Sequence, residues 1–312
     1  MKEQLFKALH EKNSVQRQIA RRLFGAFQVL GFHLTGDHFY DNIPNTTLIG
    51  KTYHELARRC SGIDFRFAGS EAFLLECLSR FSQEILDGSL TPSGFVNPNA
   101  YFRHLDAIAL YSFVRATRPK VVVEVGQGMS TRIIASASRR NWEESGEKTV
   151  LISIDPHARL ELPSPVVGPW MALEVRAVEV QSCDLAVFDS LQPGDMLFVD
   201  SSHVFKYGSD VAFEFEHIYP HIPQGVVVHI HDVFSPFDYP KAWMTERKQF
   251  WNEQYFLEEF LRFNHEFEVL LPMHFLARES RDVRKYVDDR FGRAGYLADA
   301  QSFYIRRVRT TT

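Results

Sequence analysis

The chain has 312 residues, of which 45% are hydrophobic and 24% are charged, enough for one large or two modest globular domains. Its net charge of −4 gives no sign of the basic surface that nucleic acid requires, so we expect no nucleic-acid partner. Three cysteines without metal or redox spacing, and no apolar run suited to a signal peptide or a membrane span, predict a cytoplasmic protein with no membrane partner.

Residues 1–95 differ in pattern from the rest of the chain. Helical periodicity over 16–27, 52–60 and 70–85 is interrupted by the His- and Tyr-containing loop 31–44. We interpret 1–95 as a helical N-terminal lid or oligomerisation region, compatible with a homodimer, and 96–312 as the main domain.

The most informative motif follows an apolar run at Val121–Val125, which predicts a buried parallel strand. Two glycines one residue apart then predict a tight turn, where the backbone approaches a ligand at a helix N-terminus. A dinucleotide fingerprint would need a third glycine where Thr131 stands, which weakens the NAD interpretation. The pattern E-x-G-x-G-x-S-T instead resembles motif I of class I methyltransferases that use S-adenosylmethionine (SAM). The cofactor-binding residues that it implies are Glu124, Gly126, Gly128, Ser130 and Thr131.

A second apolar strand, Val150–Ile154, ends in Asp155. An acidic residue at this point of a doubly wound sheet accepts hydrogen bonds from ribose hydroxyls. The polar stretch Arg139–Lys148, between the two strands, predicts a surface loop.

Strands and helices alternate from Val121 onward, which predicts an α/β fold with a Rossmann-like sheet. Five further strands are expected near 172–178, 195–200, 225–232, 267–271 and 302–308. The resemblance implies the seven-stranded methyltransferase order, in which the last strand is antiparallel.

The fourth and fifth predicted strands end in polar clusters, Asp200–His203 and His229–Asp232. The carboxyl ends of parallel strands share one edge of a sheet, so both clusters should lie beside the cofactor loop. Converging carboxylates and imidazoles are costly unless they are paired, hydrogen-bonded or bound to a metal.

Three interpretations of these clusters stay open: a divalent metal site, a metal-free histidine general base, and a structural hydrogen-bond network. Mixed imidazole and carboxylate ligands suit Zn, Fe or Mn, whereas Mg favours carboxylates alone. The candidate metal ligands are Asp200, His229, His231 and Asp232, and the candidate catalytic residues are Asp200, His203 and His231.

The segment Leu191–His203 resembles the GD-x-LF-x-DSSH segment of a bacterial family of class I methyltransferases, and Gly225–Pro240 extends the likeness. By that resemblance, the first metal ligands would be Asp200 and Asp232, and His231 stands where some relatives have an acidic residue. The resemblance also implies cofactor contacts for Gln181 and Asp184 near the adenine and for Tyr101 near the methionine end of SAM.

We therefore predict a SAM-dependent methyltransferase that acts on the oxygen of a small-molecule or natural-product acceptor, with or without a divalent metal. An N-methyltransferase and a SAM-fold protein with other metal chemistry are the alternatives. A non-catalytic SAM-binding protein is disfavoured, because both polar clusters are intact.

Overall fold

A seven-stranded sheet forms the centre of the computed structural model, which describes residues 23–24, 26–33, 42–52, 58–93, 95, 101–102, 104–158, 167–292, 297 and 300–309. The strands are β1 (Val121–Val125), β2 (Thr149–Ile154), β3 (Met171–Arg176), β4 (Met196–Val199), β5 (Val227–Ile230), β6 (Phe267–Pro272) and β7 (Phe303–Arg307).

The strand order is β3-β2-β1-β4-β5-β7-β6. The first five strands pair in parallel, and β7 is antiparallel to both β5 and β6. The predicted seven-stranded Rossmann-like sheet with an antiparallel last strand is therefore confirmed. Its chain order reverses between β1 and β4, and ligands of open α/β sheets bind at such a reversal, beyond the carboxyl ends of the strands.

The described residues also form ten helices. They are α1 (Thr46–Thr52), α2 (Phe67–Leu86), α3 (His104–Thr117), α4 (Met129–Ser145), α5 (Ala186–Asp189), α6 (Asp210–Phe213), α7 (Lys241–Thr245), α8 (Glu253–Leu261), α9 (Met273–Glu279) and α10 (Arg281–Phe291). Short 3₁₀ turns occupy Thr91–Ser93 and Val180–Ser182, and a π-helical turn follows α6 at Glu214–Ile218.

Each face of the sheet buries its own apolar cluster, because successive side chains of a strand point to opposite faces. Val122 belongs to the cluster that includes side chains of α2, α3 and α4, whereas Val123 belongs to the cluster that includes side chains of α5 and α8. The central strands are thus covered on both sides, which explains their continuous apolar sequences.

The predicted surface loop at Arg139–Lys148 is wrong, since α4 continues to Ser145. Arg139 pairs with Glu143 one helical turn later at 2.9 Å, and Asn141 is buried, with its Nδ2 donating to the Val114 carbonyl. The run is polar because it covers the exposed face of a helix, and Asn141 is held by a helix distant in the sequence.

The chain divides into two compact units, residues Met1–His54 with Pro240–Phe250, and residues Glu55–Tyr239 with Trp251–Thr312. In the smaller unit α1 packs against α7. The larger unit holds the sheet and also α2. Residues 34–41, which form most of the predicted loop 31–44, lie outside the described residues. No helix within the described ranges is long and apolar enough to cross a membrane.

Candidate functional site

The loop between β1 and α4 lies in close contact with the residue that follows β4. Gly126 has a φ of 88°, and a Cβ added there would overlap the carbonyl oxygen of Asp200. The Asp200 amide in turn donates to the Val125 carbonyl at 2.9 Å. Only glycine therefore lets this loop approach the neighbouring strand so closely.

Glu124 supports the loop from inside the fold. It is fully buried and accepts hydrogen bonds of 2.8–2.9 Å from the hydroxyls of Ser130, Thr131 and Ser153. Burial raises the pKa of its carboxyl to about 7, although the three hydroxyls favour the charged form. Glu124 and Thr131 brace the loop through these hydrogen bonds and are not among the residues that line the two cavities described next, and their contact with a cofactor stays a prediction.

Asp155 lies where the sequence predicted, at the carboxyl end of β2. Its Oδ2 accepts from the Gln127 amide at 2.9 Å, which ties it to the glycine loop. Together with Gly126 and Gln181 it lines a cavity of about 440 Å³. Asp184 is not among the residues that line this cavity. Its Oδ1 accepts from the Ala186 amide at the start of α5, and its contact with the adenine stays a prediction.

A second cavity, of about 340 Å³, lies on the other side of the loop. Tyr101, Gly128 and Ser130 line it, and Tyr101 is 78% exposed there. Asp200 and His157 line both cavities, so the two spaces adjoin at the end of β4. A ligand that extended from one cavity into the other would pass beside Asp200.

Carboxylates and imidazoles converge beside this junction. His203 Nε2 lies 3.2 Å from Asp200 Oδ1 and 3.4 Å from Asp232 Oδ2. His231 Nδ1 lies 3.5 and 3.7 Å from the same two oxygens. Among the described residues, Asp200, His231 and Asp232 form a group whose ligand atoms all lie within 4.8 Å of one another, close enough to hold a metal ion.

Burial disfavours the charged form of each group in this cluster. For Asp200, His203 and His231, the neighbouring opposite charges outweigh the effect of burial. The two histidines lower the pKa of Asp200. Despite burial, the facing carboxylates raise the pKa of His203 and of His231 well above the usual histidine value. Asp232 differs, because burial raises the pKa of its carboxyl against the influence of His231 and His203.

Two residues of the cluster have strained backbones. His203 and Asp232 have φ values of 60° and 58°, in the left-handed region that non-glycine residues rarely occupy. Such conformations cost about 1–3 kcal/mol each and concentrate at functional sites.

His229 was predicted as a metal ligand, and the structure places it outside the ligand group. Its ring stacks on Phe198 at 4.4 Å, and neither ring nitrogen has a hydrogen-bond partner among the described residues. Burial, reinforced by His231, lowers its pKa well below the usual value. His229 does lie on the same side of β5 as His231, but two residues further from the strand end, so its ring is packed in the core.

Two carboxylates that sequence reasoning missed lie behind the histidines. Glu253 Oε2 is 2.9 Å from His203 Nδ1, and Asp106 Oδ2 is 3.8 Å from His231 Nε2. Both carboxylates are 1% exposed. The available signal for Asp106 was a single acidic residue within an apolar helix.

A further cavity of about 630 Å³ lies at the opposite edge of the sheet. Its walls include Gly194 and Gly225, which precede β4 and β5, together with Arg306 of β7. It contains none of the predicted site residues, so cavity size alone does not locate the site.

Comparisons with known proteins point to the same part of the chain. Residues 123–233 match a family model described as a methyltransferase domain. That span contains the glycine loop, Asp155, Asp200 and Asp232. The match supports a methyltransferase domain in this region.

The similarities to individual proteins are weaker than the match to the family model. An uncharacterised protein of Archaeoglobus fulgidus is 25% identical over 165 residues, which is 50% of this chain and 72% of that protein. An O-methyltransferase of Bacillus cereus in complex with SAH is 12% identical, with a TM-score of 0.37, over 77% of this chain and 96% of its own. An SAH-bound methyltransferase of Podospora anserina is 13% identical, with a TM-score of 0.36, over 85% and 94% of the two chains. Both TM-scores are below 0.5, so neither solved structure supports a conclusion about this chain.

Proposed function

We propose that this protein is a SAM-dependent methyltransferase that transfers the methyl group to an oxygen of a small-molecule acceptor. The observation that carries the proposal is the meeting of two cavities at Asp200, one bounded by the glycine loop and Asp155, the other adjoining the carboxylate–imidazole cluster. The sheet order and the family match over residues 123–233 support it.

The cavity of about 440 Å³ is the proposed SAM site. It falls within the range of about 300–1,000 Å³ that is typical of small-molecule sites. Asp155 would accept hydrogen bonds from the ribose hydroxyls and Gln181 would lie near the adenine. The methionine end would extend along Gly128 and Ser130 toward Tyr101, which lines the adjoining cavity.

The polar cluster favours an oxygen acceptor. A hydroxyl must lose its proton as it attacks the methyl group, whereas a neutral amine attacks through its free lone pair. Asp200 lines both cavities and the low pKa of its carboxyl keeps it ionised, so it can hold the acceptor hydroxyl or a divalent cation beside the methyl group, while the released proton passes to solvent. The new bond joins the acceptor oxygen to the methyl carbon as the carbon–sulfur bond breaks, leaving S-adenosylhomocysteine.

The raised pKa values of His203 and His231 weigh against a metal-free histidine base. With no cation bound, such imidazoles carry both protons at neutral pH, whereas a bound cation would displace the proton from the nitrogen that faces it. The donor set fits a divalent cation, because two carboxylate oxygens and an imidazole nitrogen of Asp200, Asp232 and His231 lie within reach of one centre. When bound, such a cation would lower the pKa of the acceptor hydroxyl.

Calorimetric titration of SAM tests the cofactor assignment. We expect wild-type protein to bind SAM and not NAD(H), and Asp155→Asn to bind SAM at least tenfold more weakly. Asp184→Asn is the matched control, because this aspartate also accepts a backbone N–H but lines neither cavity. An absence of SAM binding to wild-type protein would refute the proposal, and equal losses in both variants would refute the ribose role of Asp155.

Transfer of labelled methyl from SAM to separate panels of phenols, sugars and amines tests the acceptor class. We expect labelled product with hydroxyl acceptors, and its loss in Asp200→Asn with SAM binding retained. Transfer to amines alone would contradict the oxygen assignment.

A further inference from the structure

The cavity of about 630 Å³ beside Gly194 and Gly225 has no part in the proposed methyl transfer. We call it the amino-end cavity, because these two glycines precede β4 and β5. It shares no lining residue with the two cavities that adjoin Asp200. Its volume lies in the range of about 300–1,000 Å³ that is typical of small-molecule sites, so a separate ligand has room there.

Apolar side chains line much of the amino-end cavity. The ring of Phe73 in α2 meets the ring of Phe113 in α3 edge to face, with centroids 6.1 Å apart. Val227 and Val269 continue the apolar lining along β5 and β6. Gly69 leaves further space, since a Cβ placed there would meet no atom within 4 Å. This lining favours a ligand with an apolar body.

The charged residues of the lining are all cationic. Within the described part of the chain they are Arg66, Arg306 and Arg307, and no carboxylate lines the cavity. Arg307 is buried, and its guanidinium donates to Glu266 at 2.8 Å and to two backbone carbonyls. Its hydrogen-bonding capacity is therefore largely used within the fold.

Arg66 and Arg306, in contrast, share a single carboxylate. Arg66 Nη1 donates to one oxygen of Glu268, and Arg306 Nε donates to the other oxygen at 2.7 Å. Both arginine side chains are exposed, by 41% and 42%. Two guanidiniums against one carboxylate leave one excess positive charge. The first turn of α2, which also lines the cavity, has no acidic residue to offset that charge.

The same pair of arginines retains donors for a ligand. Arg66 Nε and Nη2 and Arg306 Nη1 donate to no acceptor among the described residues. A guanidinium presents its N–H groups in a planar fork that matches the two oxygens of a carboxylate, and hydrogen bonds between ions are stronger than neutral ones. The wall formed by Arg66 and Arg306 therefore favours an anion, and a carboxylate in particular.

We propose that the amino-end cavity binds a small organic acid. Its apolar body packs against Phe73 and Phe113, and its carboxylate accepts hydrogen bonds from Arg66 and Arg306. Burial of the apolar body supplies affinity, while the excess positive charge selects acids over neutral molecules of the same shape. This binding site is separate from the proposed methyltransferase site and does not depend on it.

Calorimetric titration tests the ligand class with naphthylacetate, phenylbutyrate and decanoate, each beside its own uncharged amide. We expect at least one acid to bind with one molecule per chain, and its amide to bind about tenfold more weakly. Arg306→Gln should weaken binding of that acid about tenfold and leave binding of the amide unchanged. Should Arg306→Gln fail to fold, Arg66→Gln takes its place.

Arg176→Gln is the matched control for the charge. Arg176 is also a strand arginine whose Nε donates to a carboxylate at 2.7 Å, that of Glu174, but it does not line the cavity. Its substitution should leave binding of the acid unchanged. Equal losses in Arg176→Gln and Arg306→Gln, or no binding of any of the three acids to wild-type protein, would overturn the inference.

Gly69→Leu tests the location, because its side chain would occupy part of the cavity. Leucine is favoured over glycine in a helix and its Cβ has room there, so the variant should fold. We expect it to lose binding of both the acid and its amide. Ala68→Leu is the matched control, since Ala68 is the preceding exposed residue of α2 and lies outside the lining. Retained binding in Gly69→Leu would contradict the proposed location.

SAM titration of the same variants separates this inference from the methyltransferase proposal. Gly69→Leu and Ala68→Leu should both bind SAM as wild-type protein does. A loss of SAM binding in Gly69→Leu alone would assign the amino-end cavity to the cofactor and overturn the inference. Binding of an acid as expected, without SAM binding to wild-type protein, would support the inference and refute the methyltransferase proposal.

Discussion

Glu124 is a carboxyl group that folding removes completely from water, with three hydroxyls as compensation. Burial still dominates and raises its pKa from 4.5 to about 7. Between pH 4.5 and about pH 7, the Glu124 carboxyl is protonated in the folded protein and ionised in the unfolded chain. The free energy of unfolding must therefore fall as pH rises through this window. Above pH 7 the full cost of burying the ionised Glu124 carboxylate remains.

Glu124→Gln should remove that pH-dependent cost while keeping the shape of the side chain. A shift of this size corresponds to a cost on the order of 3 kcal/mol above pH 7. We expect the melting temperature of the variant, relative to wild type, to rise by several degrees between pH 5 and pH 8. Thermal unfolding at several pH values measures the difference.

Glu84→Gln provides the contrast. Although burial opposes its ionisation, the Arg115 and Tyr111 hydrogen bonds lower the Glu84 pKa below 4.5, so this residue is ionised throughout the range from pH 5 to 8. Its substitution should destabilise the protein by a nearly constant amount over that range. A Glu124→Gln effect equally independent of pH would show that the Glu124 pKa is not raised.

Residue types at strand ends were predictable, but their individual contacts were not. The sequence indicated Asp155, Asp200, His231 and Asp232, because the carboxyl ends of parallel strands share one edge. It did not show that Asp184 bonds to α5 or that His229 stacks on Phe198, since both outcomes depend on neighbours outside the local pattern.

The turn between β1 and α4 requires glycine at position 126 more strictly than at position 128. Gly126 has a positive φ and no room for a Cβ beside Asp200. Gly128 has an extended backbone, and open space surrounds the position of a Cβ. The sequence presents the two glycines as equivalent members of one motif, whereas the backbone distinguishes them.

Gly126→Ala should therefore destabilise the protein far more than Gly128→Ala. The left-handed conformation alone costs alanine about 1–2 kcal/mol, and the overlap with Asp200 adds to it, so we expect a loss above about 2 kcal/mol. Gly128→Ala should cost about 1 kcal/mol or less, as an N-terminal helix residue. Urea denaturation of both variants provides the comparison, and equal losses would contradict the assigned roles.

The seven strands could be predicted because each is a short run that is either continuously apolar, as in β1, or mixes apolar and polar residues, as in β3. The extent of α4 could not, because its last turns are polar in sequence. Those turns are held in place by the Asn141 bond to the Val114 carbonyl and by Arg115 bonding to Glu144. Contacts between helices distant in the sequence leave no periodic signal in either segment.

For the molecule as a whole, the two edges of the sheet carry different chemistry. The edge at the carboxyl ends of β1, β2, β4 and β5 holds the glycine loop, Asp155 and the carboxylate–imidazole cluster. The opposite edge holds the cavity of about 630 Å³ beside Gly194, Gly225 and Arg306, without a comparable cluster of carboxylates and imidazoles among its lining residues. Binding of SAM should therefore give local stabilisation only at the edge formed by the carboxyl ends of β1, β2, β4 and β5.

Hydrogen exchange measured with and without SAM tests this difference between the edges. A ligand that binds only the folded protein at 100 times its Kd stabilises it by about 2.7 kcal/mol, and slows exchange most where it blocks local opening. We expect added protection over 126–132, 155–158 and 200–210. Residues 66–73 and 224–227, which adjoin the opposite cavity, should gain protection only through global stabilisation. Local protection at 66–73 and 224–227 instead would place the cofactor in the larger cavity, and the carboxylate–imidazole cluster would then lie too far away to act on the methyl acceptor.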